Sequence, residues 1–186
     1  MTHTLHRMGD EAGLRSDYVV FTMHAKGYND RNKERVDTNF KILQKCNKVN
    51  IGGYDAGVFT NERDLEKALI VLQEADLGMS IIVSGNFKNV FEVCRRLGIE
   101  PHTVEFSLGI FGKKELLPDE KILEIATMCG HSLISPSYIE SVIKKVRKGK
   151  MEPMDGAKEL AKACYCGVFN PERAANLIEK LTSRRE

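Results

Sequence analysis

Apolar and polar positions alternate between two periods along the first two-thirds of the chain. Tyr18 to Met23 (YVVFTM) is a β-branched and aromatic run that reads as a strand, and Lys33 to Lys45 then places Val36, Phe40 and Leu43 at i, i+4 and i+7, one apolar helix face. Val49 to Ile51 and Gly57 to Phe59 read as short strands around a glycine cluster of Gly52, Gly53 and Gly57. Thr60 or Asn61 caps a helix carrying Leu65, Leu69 and Leu72 up to Ala75. Ser80 to Val83 is an unbroken apolar run, the pattern of a buried strand. Ser84-Gly85-Asn86 turns it into a helix with Val90, Cys94 and Leu97 on one face, ending at Gly98, and Thr103 to Phe106 reads as a further strand. Strands separated by helices of this length predict parallel crossovers, so the expected fold is a three-layer α/β domain over residues 1–116 with a mostly parallel sheet.

After Lys114 the strand-like runs stop and a repeat begins. Pro118 to Val146 aligns without a gap on Pro153 to Leu181 at an offset of 35 residues, with Pro118 on Pro153, Glu124 on Glu159, Ala126 on Ala161, Cys129 on Cys164, Pro136 on Pro171 and Ile143 on Ile178. Ser135-Pro136 and Asn170-Pro171 each give an N-cap followed by proline in the first helical turn. Residues 117–186 are therefore expected to form a helical C-terminal element of two tandem helix-loop-helix units packed on the first domain.

The repeat also carries chemistry. His131 falls on Cys166, so Cys-x-His in one copy answers Cys-x-Cys in the other. Cys129, His131, Cys164 and Cys166 all sit in interhelical loops, where several side chains can point to one spot. Gly130 and Gly167 relax the backbone beside them. Three thiolates and an imidazole suit tetrahedral zinc, and three thiolates also hold an iron-sulfur cluster. The plainer alternative is a pair of helical hairpins with structural cysteines. That alternative accounts for Cys129 over Cys164 but not for His131 over Cys166. A nucleophilic cysteine is disfavoured, because the negative end of a helix dipole raises a thiol pKa.

In an open parallel sheet ligands bind beyond the carboxyl ends of strands. On that basis His24, Lys26, Ser84, Gly85 and Asn86 are the candidates for holding an anionic small molecule, the last three through backbone N–H groups at a helix start. His3 and His6 form a second, adventitious-looking pair near the N-terminus, in a segment expected to be frayed from Thr2 to Asp10. The run Lys144, Lys145, Arg147, Lys148 and Lys150 closes a helix C-terminus, where cations are favoured in any protein.

Composition narrows the classes further. At 186 residues, 42% hydrophobic and 29% charged, the chain has the make-up of an ordinary globular protein. A formal net charge of +2 argues against nucleic acid and against an anionic membrane surface. No apolar stretch approaches the ~20 residues of a bilayer span, and the first residues lack the apolar core of a signal peptide. A cytoplasmic protein is expected, in which five cysteines serve metal binding, redox chemistry or burial rather than disulfides. Two functional expectations follow: a metal- or iron-sulfur-binding protein with a small-molecule enzyme activity, or a non-catalytic partner-binding module held by structural zinc or by a purely structural cysteine cluster.

Overall fold

The computed structural model describes residues 7–24, 27, 29, 32–53, 55–105 and 107–183. A short helix α1 (Glu11–Leu14) leads into β1 (Tyr18–Met23), α2 (Lys33–Lys45), β2 (Ala56–Phe59), α3 (Glu62–Ala75), β3 (Ser80–Ser84) and α4 (Phe87–Leu97). A 3-10 turn at Lys114–Leu116 precedes α5 (Glu120–Ala126), α6 (Pro136–Arg147), α7 (Pro153–Ala161) and α8 (Pro171–Ser183). Most starts are fixed by side-chain caps. Asn32, Asn61, Asn86 and Ser135 each accept a bond from the backbone N–H three residues on, and Asn170 does the same for Arg173.

The expected three-layer, mostly parallel sheet is wrong. The sheet has three strands in the order β2-β1-β3, and β1 runs antiparallel to both neighbours, with Val19 opposite Val58 on one side and Ser84 on the other. The reason lies in where β1 inserts. β2 and β3, joined through α3, do run in the same direction, but β1 lies between them. The link from β1 to β2 adds flanking loops to α2 and brings the chain back antiparallel. Two further expected strands are not formed. Thr103 to Glu105 is irregular, Phe106 being outside the described residues, and Val49 to Ile51 contributes only the bond from the Val49 N–H to the Val58 carbonyl, 2.8 Å.

The alternation of β1 separates two apolar clusters. Tyr18 and Val20 join Phe59, Leu43, Leu65, Leu69, Leu72, Val90 and Val93 of β2 and α2–α4. Val19 joins Ala56 and Val58 with Ile125, Met128, Ile139, Leu160, Phe169 and Ile178, so the tail helices pack against the opposite side of β1. The second cluster thus crosses the sequence boundary at residues 116 and 117 and brings the cysteine loops against the sheet. Within the described residues no helix is long and apolar enough to cross a membrane.

Candidate metal centre

The two halves of the tail repeat bond for bond. The Cys129 N–H donates to the Ala126 carbonyl and the Cys164 N–H to the Ala161 carbonyl, at 3.3 and 3.0 Å. The Ser132 N–H then donates to the Cys129 carbonyl, and the Gly167 N–H to the Cys164 carbonyl, both at 3.0 Å. Ser132 and Gly167, again 35 apart, both take the left-handed conformation, with φ of 54° and 67°. Each helix therefore ends in the same turn and presents its cysteine from the same place. For Ser132 that conformation is strained, a cost glycine avoids at the matching position.

The loops bring the four sequence candidates into a string of contacts. The sulfurs of Cys164 and Cys166 are 3.8 Å apart and the Cys166 sulfur is 3.4 Å from His131 Nδ1, while the neighbouring Cys129 and Cys164 thiols act on each other's ionisation. Cys129 and Cys164 are buried, whereas Cys166 and His131 are half-exposed. No group of three or more His, Cys, Asp or Glu side chains among the described residues closes on one point as a finished metal cage. The described contacts link Cys129, Cys164, Cys166 and His131 in succession.

Backbone donors are aimed at the outer two sulfurs. The Cys164 thiol donates to Cys129, whose pKa falls from 9.0 to about 6 against the opposing effect of burial, with help from the Leu133 and His131 N–H groups. Cys166 falls to about 5 for the same first reason, again against burial, aided by the Val168 N–H and by His131. Cys164 is pushed up, because its proton is shared with Cys129 and Cys166 and because it is buried. Ionisation is thus favoured at the two ends of the cluster and resisted in the middle. N–H donors directed at sulfur by the residue two places on suit thiolates and add little to neutral thiols.

Several groups that brace these loops gave no signal in the sequence. Arg7, expected to lie in a frayed segment, has a side chain only 4% exposed and donates to the carbonyls of Met128 and Val168 at 2.9 and 2.8 Å, tying the two cysteine loops together. It also grips both oxygens of Asp17, at 2.7 and 2.6 Å. Arg173 and Asn170 complete the shell of that buried carboxylate, at 2.7 and 3.0 Å. From the other side Asn50 Nδ2 donates to the Gly167 carbonyl at 2.8 Å and to the Ala56 carbonyl at 3.1 Å. Gly53 lies so close that a Cβ on Gly167 would fall 2.3 Å from its Cα, so both positions require glycine.

Among the described anion-binding candidates, His24 is not brought to Ser84, Gly85 and Asn86. Ser84 pairs with Val19 and Met23 with Ser80, so His24 leaves the opposite end of the sheet from Ser84, about 17 Å away along the strand. His24 is exposed. Gly85 packs against the Tyr18 ring, where a Cβ would sit 2.7 Å from Cδ1, and Asn86 is occupied as the cap of α4. Lys26, His3 and His6 lie outside the described residues. The binding-site argument depended on parallel strand ends, and the antiparallel sheet removes it. No protein-family model, curated protein or solved structure matches the chain.

Proposed function

We propose that Cys129, Cys164, Cys166 and His131 bind a single divalent ion, best fitted by zinc, which fastens the two tail hairpins to each other and to the sheet. The observation that carries this reading is the pair of edge lengths. Tetrahedral zinc with bonds of about 2.3 Å to sulfur and about 2.0 to 2.1 Å to nitrogen separates two sulfurs by about 3.8 Å and a sulfur from a nitrogen by about 3.6 Å. The corresponding separations are 3.8 and 3.4 Å. An iron-sulfur cluster interposes irons and sulfides between its cysteines and needs a wider spread, so the single ion is the better reading.

Four protein donors leave no open coordination position, and a closed site is structural rather than catalytic. Binding releases the Cys164 proton, and closing the string into a tetrahedron requires only local adjustment of side chains already in contact. The protein is then a helical and sheet scaffold clamped by metal. Elemental analysis of anaerobically purified protein tests this: one zinc per chain is expected, with near-complete loss in Cys164→Ser. Protein that takes up no stoichiometric zinc after reduction and reloading, or a Cys164→Ser variant binding as much as the parent, would refute it.

A further inference from the structure

The four proposed donors divide evenly between the two hairpins. Cys129 and His131 belong to the loop between α5 and α6, and Cys164 and Cys166 to the loop between α7 and α8. The clamp exists only while both loops contribute, and the second loop contributes nothing but sulfur. A pair of thiols, unlike an imidazole, is removed by one two-electron oxidation.

The geometry selects one pair of sulfurs. Those of Cys164 and Cys166 are in contact at 3.8 Å. The Gly167 N–H donates to the Cys164 carbonyl at 3.0 Å, so the chain curls between the two cysteines, and the intervening Tyr165 is 90% exposed. Access differs along the string: Cys129 and Cys164 are buried, whereas Cys166 is partly open to solvent. An oxidant arriving from water therefore meets Cys166 first, and the sulfur beside it is Cys164. Cys46, also partly open, caps the end of α2 and donates to the Ile42 carbonyl at 3.4 Å, with no second thiol among its described contacts.

We infer that a peroxide joins Cys164 to Cys166 in a disulfide and so ejects the zinc ion proposed above, on whose presence the release step rests. The Cys166 sulfur attacks one peroxide oxygen: the S–O bond forms as the O–O bond breaks, and the departing hydroxide takes a proton to become water. The Cys164 sulfur then attacks the sulfur of that sulfenic acid. The S–S bond forms, the S–O bond breaks, and a second hydroxide leaves as water with a second proton. Two thiolates, one hydrogen peroxide and two protons thus give one disulfide and two waters, with both electrons supplied by the sulfurs and zinc remaining divalent. Both donors of the second hairpin disappear in one event, leaving Cys129 and His131 as a two-donor remnant on a single loop. The new ring spans one intervening residue, and so short a loop adds little chain-entropy stabilisation in place of the clamp. Arg7 still ties the Met128 and Val168 carbonyls across the loops, so the fold persists. A small thiol reaching the open Cys166 side reverses the bond.

The test treats the zinc-loaded full chain with about one equivalent of hydrogen peroxide in the presence of a weak chromophoric zinc chelator. Free thiols counted in denaturant should fall by two from the five of the reduced chain, and peptide mapping should show Cys164 joined to Cys166. One zinc should be released per disulfide, and a thiol reductant should restore both thiols and zinc binding. The thermal midpoint of the oxidised form should match that of reduced, metal-free protein. Cys46→Ser should respond as the parent does, and metal-free Cys166→Ser should form no disulfide within the chain. A parent holding no zinc before peroxide would overturn the zinc reading and the release together. With zinc bound at the outset, its retention after the disulfide has formed, a disulfide through Cys129 instead, or no disulfide at all would overturn the switch alone.

Discussion

Replacing Asp17 with asparagine removes one charge and almost no volume, from a carboxylate whose side chain is fully buried. Each oxygen accepts two bonds: Oδ1 from Arg7 Nη2 and Asn170 Nδ2, and Oδ2 from Arg7 Nε and Arg173 Nη1. Whichever oxygen becomes the amide NH2, two donors then face a donor. Two guanidinium groups, 4% and 3% exposed, also lose their counter-charge, with Glu124, 3.6 Å from Arg173, and Asp10 left beside Arg173. Breaking a buried pair from one side costs about 3–5 kcal/mol, a large part of the ~5–15 kcal/mol that holds a domain folded. With a urea dependence of about 2 kcal/mol per molar, the unfolding midpoint should fall by roughly 2 M. Burial alone would raise the Asp17 pKa, but Arg7, then Arg173 and Asn170, bring it below the ordinary 3.8. The stabilisation is therefore complete above the unfolded-state value and is lost as pH falls from there through the lower folded value. The parent should lose stability on that acid limb, and Asp17→Asn should lack this part of the loss. An urea-measured destabilisation below about 1 kcal/mol at neutral pH would refute the assignment of this network as the main polar brace.

Cys94→Ser buries a hydroxyl among Val90, Val93 and their neighbours and should cost about 1–3 kcal/mol without altering zinc uptake, while on the proposed zinc site Cys164→Ser should abolish that uptake and any thermal stabilisation by added zinc. Gly167→Ala meets Gly53 backbone at 2.3 Å in a left-handed conformation and should cost about 2–5 kcal/mol, measured by chemical unfolding. Gly149→Ala has nearly the same φ, 65°, with nothing within 4 Å, and should cost only the ~1–2 kcal/mol of the conformation itself. Equal losses in the two glycine variants would remove the close approach of the Gly53 loop as the reason for Gly167.

Local signals were legible where a few adjacent residues decide the structure. The spacing of Val36, Phe40 and Leu43, the cap at Asn61, the stop at Gly98 and the paired Ser135-Pro136 and Asn170-Pro171 starts mark helices the structure contains. The 35-residue offset even located the shared turn at Cys129 and Cys164. Strand order was not legible, because β1 meets β2 and β3 through partners dozens of residues away and the same helical link serves neighbours or next-neighbours. Arg7 was misread for the same reason: its carbonyl partners lie 121 and 161 positions along the chain, and a lone arginine in a polar stretch carries no periodicity. Asn50 fell within the short strand expected over Val49 to Ile51, and its role comes instead from the approach of residue 167.

The separation of Asp17 from Arg173 by 156 positions has a meaning for a chain still being made. At about 5–20 residues per second, Asp17 emerges roughly 8 to 30 s before the arginine that completes its shell. Until then its carboxylate belongs in water, since burial without the full set of donors is costly. The layer formed by α2–α4 over Tyr18 and Val20 needs none of the late residues and can assemble first. The opposite side of the same strand stays open until α8 arrives, so synthesis itself gives the sheet an early face and a late one.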